Sequence, residues 1–145
     1  TTLQMLHRFQ QDVINLKPST VVVLAGINDI AENSGPITLN EIFDNIVAMV
    51  KLANENHIKV ILCSVLPANK FYWNPKIKPA DKVIELNNLI ENYTIQNKIQ
   101  YVNYYSSMVD SEKGIQFQYG EDGVHPNLAG YKVMEEILLP YLKKD

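Results

Sequence analysis

Apolar residues recur at three- and four-residue steps in four segments of the chain, and this spacing predicts four amphipathic helices. The first three cover roughly residues 2–16, 38–56 and 80–97, and the second opens with the Thr-x-x-Glu spacing of a capping box. An apolar stripe from Tyr131 to Tyr141 marks the fourth helix, which Pro140 is expected to end or kink.

Short apolar runs between these helices, at 20–25, 58–65 and 100–104, predict β-strands. The first two runs are apolar on both faces, as strands in a parallel sheet covered by helices are. Alternation of helices and strands therefore predicts an α/β fold, a three-layer sandwich around a parallel sheet. Because ligands of such sheets bind beyond the carboxyl ends of the strands, we expect a site among the loops that follow the strands and the segment before the last helix.

The composition fits one globular domain, and residues 1–145 are interpreted as a single domain with 46% hydrophobic residues. A net charge of −3 without basic clusters argues against nucleic-acid binding. No apolar stretch reaches the ~18–20 residues that span a bilayer, and no spacing of His, Asp and Glu indicates a metal site. The lone Cys63 excludes an internal disulfide and leaves the cellular compartment open.

The turn after the first strand carries a candidate hydrogen-bond donor. Gly26 allows a sharp turn at the strand end, and Asn28 can then point its amide into the crevice, where such donors stabilise the oxyanion of acyl transfer. Taken alone, the same residues are more typical of an Asx turn that leaves the strand. Asp29 is expected to cap or hydrogen-bond neighbouring backbone.

A carboxylate and an imidazole precede the last helix in the sequence DGVHPN at 122–127. The three-residue spacing allows Asp122 to accept a hydrogen bond from Nδ1 of His125, which leaves Nε2 to act as a general base. Taken alone, this segment also fits a polar turn with Pro126 near the first helical position.

Together, the strand and Gly-x-Asn-Asp turn at 20–29 and the DGVHPN segment resemble the third and fifth sequence blocks of the SGNH hydrolase family, the GDSL-type lipases and esterases. The resemblance implies a flavodoxin-like α/β sandwich and ester hydrolysis by a Ser-His-Asp triad, without metal or organic cofactor. On the matching positions it implies that His125 is the catalytic base, Asp122 its orienting carboxylate and Asn28 an oxyanion-hole donor. Gly26 would make the turn that presents Asn28.

The family's nucleophile lies in a Gly-Asp-Ser motif after the first strand, and this chain contains no such motif. None of the candidate substitutes lies on a glycine-containing strand-to-helix turn; they are Ser34, Ser64, Ser106 and Ser107. The apolar strand at 20–25 also lacks the charge, proline or bulge that protects an edge strand. We therefore expect a sheet that lacks its first one or two strands, which with a crossover helix need on the order of 30 or more residues.

Three consecutive aromatic residues, Phe71, Tyr72 and Trp73, follow the second strand. They are candidates for the wall of a substrate pocket. They fit equally well a small satellite cluster or a subunit contact.

The leading hypothesis is a serine esterase or acylhydrolase that cleaves a small acyl ester, such as an acetylated sugar or a lysophospholipid-like molecule. The chain by itself is expected to be nearly inactive, because base and orienting carboxylate without a nucleophile give only weak catalysis. The alternative is a non-catalytic remnant of the same fold that binds carbohydrate or lipid. Either form could dimerise through an exposed strand edge or through the aromatic loop.

Overall fold

The computed structural model describes residues 1–142 and contains three strands and six α-helices within them. The strands are β1 (Thr20–Val23), β2 (Lys59–Cys63) and β3 (Gln100–Val102). The helices are α1 (Thr2–Asp12), α2 (Ile27–Ile30), α3 (Leu39–Glu55), α4 (Pro79–Asn97), α5 (Tyr105–Met108) and α6 (Leu128–Leu142). The last part of the predicted single domain, 143–145, lies outside the described residues.

The three strands form one parallel sheet in the order β1-β2-β3, which confirms the predicted α/β class. Successive residues of β2 point to opposite faces, because side chains alternate along a strand. Val60 and Leu62 join one core cluster, while Ile61 and Cys63 join another on the opposite face. The sheet is therefore the middle layer of a three-layer, flavodoxin-like sandwich.

Helices α1, α3 and α4 cover one face of the sheet and contribute the larger core. Its members include Phe9 of α1, Met49 of α3 and Leu86 of α4, all buried. Helix α6 covers the other face, where Met134 packs in the cluster that contains Ile61. Helices on both faces explain why the strand sequences are apolar throughout rather than alternating.

Each of the three strands ends two residues earlier than its apolar run suggested. The predicted ends at 25, 65 and 104 become Val23, Cys63 and Val102. Beyond β1 and β2, Leu24, Ala25 and Val65 are apolar because they line a cleft, so their apolar character does not indicate strand pairing.

Two predicted helix boundaries are also wrong. The first helix ends at Asp12, and residues Ile14–Leu16 form a separate 3₁₀ turn that leads to Lys17 in the left-handed conformation, φ 50°. Of the two outcomes predicted for Pro140, the ending of the helix is wrong, because α6 continues through Pro140 to Leu142; a kink there stays a prediction.

Strand β1 lies at the edge of the sheet and, within residues 1–142, pairs only with β2. Its apolar side chains are consequently not all covered: Val22 is 37% exposed and the following Leu24 38% exposed. This edge borders the cleft described next, because Leu24 is part of the cleft wall.

Candidate active site

A cleft of about 240 Å³ lies at the carboxyl ends of β1 and β2. Its wall combines residues that follow β1, residues that follow β2, and residues before and within α6: Leu24, Ala25, Ile27, Asn28, Val65, Leu66, Val124, His125, Pro126, Tyr131 and Met134. These are three of the four places at which the sheet topology predicts a ligand site. The loop after β3 does not line this cleft, and Tyr104 instead faces a separate depression beside α6.

His125 and Asp122 are in direct contact at the rim of the cleft. Nδ1 of His125 lies 2.7 Å from Oδ2 of Asp122, while Oδ1 of Asp122 accepts the backbone N–H groups of Val124 and His125, each at 2.8 Å. The turn that allows these contacts passes through Gly123 at φ 80°, a conformation that glycine adopts without strain.

Hydrogen bonding holds the Asp122 carboxyl in its ionised form. Its pKa lies below the ordinary value of 3.8, chiefly because the backbone N–H of His125 donates to it and also because the His125 side chain does. An ionised Asp122 favours the tautomer of His125 with its proton on Nδ1, which leaves Nε2 free to accept a proton.

The segment that carries His125 is fixed to the start of α6 by Asn127. The Asn127 side chain accepts the backbone N–H of Gly130 at 3.0 Å and donates to the carbonyl of Gln118 at 3.1 Å. Its backbone N–H donates to the carbonyl of Tyr119 at 2.8 Å. Asn127 belongs to the DGVHPN segment, but the sequence analysis predicts no role for it. Its position directly before a helix is the signal that indicates such an N-cap.

Asn28 lies in the short helix α2 and lines the same cleft as His125. Gly26 makes the turn before α2 at φ 127°, and a Cβ there would lie 2.7 Å from Cδ2 of the buried Leu86. Oδ1 of Asn28 accepts a hydrogen bond from Nδ2 of Asn33 at 3.2 Å, so its own Nδ2 remains available as a donor. The structure thus brings Asn28 and His125 to one cleft, with Asp122 in contact with His125.

The aromatic loop divides into residues that reach the site and one that does not. Phe71 is buried and stacks on Trp73 at 5.1 Å between ring centroids, and the Trp73 ring lies 6.4 Å from the His125 ring. Phe71, Trp73, Asn28 and His125 line a second cleft of about 250 Å³. Tyr72 lines neither cleft; it is 62% exposed and its ring lies 5.0 Å from Nζ of Lys70.

No serine, threonine or cysteine lines either cleft in the part of the chain that the structure describes. Ser64 is fully buried, and its Oγ accepts the backbone N–H of Tyr105 at 2.9 Å. Cys63 is buried as well, and burial raises the pKa of its thiol to about 11. Neither side chain is placed to react with a ligand beside His125.

Two further classes of feature are absent from residues 1–142. No group of three or more His, Cys, Asp and Glu side chains is arranged to hold a metal ion. None of the helices combines the length and the apolar character that crossing a membrane requires.

An α/β sandwich with a cleft at the carboxyl edge of its parallel sheet defines a broad class of ligand-binding and catalytic folds. The sequence profile of the GDSL-like Lipase/Acylhydrolase family matches residues 1–133. The chain therefore belongs to the GDSL-like lipase/acylhydrolase family, and the resemblance inferred from its sequence is confirmed. A comparison with curated proteins found no match.

Solved structures of similar proteins agree with this assignment. A Bacteroides fragilis protein assigned as an acylhydrolase is 51% identical with a TM-score of 0.95, and the match covers 97% of this chain and 69% of that one. A GDSL-like lipase from Bacteroides thetaiotaomicron is 49% identical with a TM-score of 0.94, over 97% of this chain and 70% of that one. A catalytic mutant of an acetylxylan esterase from Geobacillus stearothermophilus shares the fold at 16% identity and TM-score 0.78, over 100% of this chain and 68% of that one.

Proposed function

We propose that this domain is the base-bearing part of a serine esterase or acylhydrolase that cleaves small acyl esters. The observation that carries the proposal is the 2.7 Å contact between Nδ1 of His125 and Oδ2 of Asp122, on a cleft that the Asn28 amide also lines. Family membership supports it, because the chain matches a family of lipases and acylhydrolases.

In the proposed reaction a serine hydroxyl attacks the ester carbonyl while Nε2 of His125 takes the hydroxyl proton. Asp122 stabilises the imidazolium that forms, and Nδ2 of Asn28 donates a hydrogen bond to the tetrahedral oxyanion. His125 then returns the proton to the departing alcohol. Water, deprotonated by the same imidazole, hydrolyses the acyl-serine and completes the cycle.

We propose further that the serine comes from residues outside this chain. Among residues 1–142, no serine, threonine or cysteine lines either cleft beside His125. Ser64 is buried, and its hydroxyl oxygen already accepts a hydrogen bond. The exposed Val22 and Leu24 on the unpaired edge of β1, next to the 240 Å³ cleft, support a position for additional chain there. By itself, the chain is then expected to be nearly inactive.

The two clefts offer different surfaces for the two parts of an ester substrate. Each cleft, at about 240 and 250 Å³, is below the ~300–1,000 Å³ of sites that enclose drug-sized ligands. The exposed ring of Trp73 offers a stacking surface for a sugar, while the apolar wall around Leu66 and Met134 suits an acyl chain. Acetylated sugars and lysophospholipid-like esters are therefore the substrates to compare.

The test measures hydrolysis of p-nitrophenyl acetate by this chain and by an extended chain, defined as these residues together with the in-frame residues encoded upstream of Thr1. The extended chain should turn over the ester, and His125→Ala should abolish turnover. His7→Ala, which removes an exposed imidazole on α1, is the matched control and should leave the rate unchanged. Turnover by the 145-residue chain that His125→Ala abolishes would refute the external serine, and the absence of an in-frame Gly-Asp-Ser segment upstream would do the same.

Binding without catalysis is the other outcome to measure. If the extended chain binds acetylated sugar or lysophospholipid without hydrolysing it, and this binding depends on Trp73 but not on His125, the domain is a binding remnant and the hydrolase proposal is wrong.

A further inference from the structure

Asp29 forms a buried polar connection directly behind the proposed oxyanion donor. It is 2% exposed, although it follows the exposed Asn28 in the same short helix. Its Oδ2 accepts the backbone N–H of Thr2 at 2.9 Å, and its Oδ1 accepts the Thr2 hydroxyl at 2.6 Å. Asp29 therefore accepts a backbone N–H group, as the sequence predicted, but the donor lies 27 residues away in the chain rather than in the adjacent turn.

The connection continues to a third helix. The side-chain amide of Asn45 in α3 donates to Oγ1 of Thr2 at 3.1 Å, so α2, α1 and α3 are joined through one hydroxyl. A buried carboxylate is costly unless its oxygens are hydrogen-bonded, and here both oxygens of Asp29 have partners. Thr2 is also the first residue of α1, where a negative charge is favourable.

Helix α2 needs an anchor of this kind. It has four residues, Ile27–Ile30, and a helix that short has little stability of its own. Asn28 and Asp29 project from it in different directions: Asn28 lines both clefts beside His125, while Asp29 lines neither. Fixing Asp29 to α1 therefore fixes the direction in which Asn28 faces the cleft.

We propose that Asp29, through Thr2, is a positioning residue that holds the Asn28 amide in its donor orientation at the cleft. The expected effect of this positioning on kcat rests on the proposed hydrolase function, whereas its effect on the order of the Asn28 side chain does not. Misplacing a catalytic group by about 1 Å costs on the order of 10²-fold in rate, so a loosened α2 is enough to reduce catalysis.

The first experiment needs no activity and uses the 145-residue chain. The order of the Asn28 side-chain amide is measured by its heteronuclear proton–nitrogen NOE, with its signal assigned from its loss in Asn28→Ala. Thr2→Val removes the hydroxyl donor and Asp29→Asn removes the charge; both should lower this NOE, and Thr2→Ser should keep it. Asp110→Asn is the matched control, because Asp110 also accepts two backbone N–H groups but lies in another loop.

The result that overturns the proposal is a Thr2→Val protein whose Asn28 amide is as ordered as in the wild type. Thr2→Val serves this purpose even if Asp29→Asn does not fold, because it leaves the carboxylate and the backbone donor in place. A loss of order in Asp110→Asn of the same size would also overturn it, since the effect would then be general.

The second experiment is kinetic and uses the extended chain. Thr2→Val should lower kcat about 10-fold with little change in KM, and Thr2→Ser should restore it. In an Asn28→Ala background Thr2→Val should have no further effect, because the positioned group is gone. An equal loss in that background contradicts the proposal. An extended chain without His125-dependent hydrolysis refutes the proposed function alone, and the amide order then decides the role of Asp29.

Discussion

Asp122 combines two structural tasks in one side chain. One carboxylate oxygen accepts the N–H groups of Val124 and His125 and so shapes the turn, while the other contacts the His125 ring. The first two contacts fix the backbone conformation at His125, and the third fixes its ring through Nδ1. Both the main chain and the side chain of His125 are therefore held by Asp122. The proposed base is therefore positioned by local contacts, although its side chain remains largely exposed.

Asp122→Asn tests this arrangement in the extended chain. Asparagine keeps an oxygen that can accept the backbone N–H groups, but it no longer favours the His125 tautomer protonated on Nδ1. We expect kcat to fall by about 10²–10⁴-fold with the fold intact. The check is steady-state kinetics together with circular dichroism, and a variant with wild-type kcat would exclude Asp122 from the reaction.

The lowered pKa of Asp122 predicts a pH-dependent contribution to stability. A carboxyl whose pKa is lower in the folded state stabilises the fold above its unfolded pKa, here near 3.8, and this stabilisation is lost as pH falls through the lower folded value. Urea unfolding of the wild type and of Asp122→Asn between about pH 6 and pH 2.5 measures it. The stability difference between the two proteins should be constant above the unfolded pKa and shrink below it; a difference independent of pH would contradict the account.

At the scale of elements, the turn from β1 into α2 has room only for glycine. Gly26 has φ 127°, and a Cβ there would meet Leu86 and Val65 at 2.7 and 3.3 Å. This turn positions Asn28 because α2 begins at the next residue.

Gly26→Ala should destabilise the protein more than Gly35→Ala. Comparing the two variants distinguishes the cost of backbone strain from the cost of overpacking. Gly35 also has a positive φ, 93°, but nothing lies within 4 Å of a Cβ there, so alanine adds backbone strain alone, about 1 kcal/mol. At Gly26, where φ is also positive, overpacking of about 1–3 kcal/mol adds to the backbone strain. Free energies of unfolding from urea titration measure both, and equal losses would show that the contact with Leu86 does not matter.

The aromatic loop gives a second prediction at this scale. Trp73 lines the cleft with His125, whereas Tyr72 lies outside it, and both side chains are more than half exposed. Trp73→Ala in the extended chain should raise KM for an aryl or sugar ester about 3- to 10-fold, the equivalent of an aromatic contact of about 0.5–1.5 kcal/mol. Tyr72→Ala is the matched control and should leave KM unchanged; equal effects would show that the loop acts as a whole rather than through Trp73.

Local features of the site could be predicted from the sequence because they depend on residues close together in the chain. The Asp122–His125 contact spans three residues and needs only a turn at Gly123. The bond from Thr2 to Asp29 spans 27 residues and depends on how α1 packs against α3, which no local pattern reports. The sequence also predicts strands that are too long, because an apolar residue such as Val65 can be buried by tertiary packing without pairing in the sheet.

At the scale of the whole molecule, the two edge strands of the sheet differ in how they are covered. Within residues 1–142, β1 and β3 each pair only with β2, but β3 contacts α4 and α6, whereas Val22 of β1 remains exposed. An uncovered apolar edge strand is a site for pairing with further chain. In the proposed enzyme that chain also carries the serine, so completion of the sheet and completion of the triad are the same event.

Covalent labelling with a fluorophosphonate, read by intact-protein and peptide mass spectrometry, tests this central claim most directly. The reagent forms a stable adduct only with a serine activated by a base. The account predicts one adduct on the extended chain, on a serine upstream of Thr1, that is absent from its His125→Ala variant and from the 145-residue chain. An adduct on Ser34, Ser64, Ser106 or Ser107 of the 145-residue chain, or labelling of the extended chain that is unchanged by His125→Ala, would contradict it.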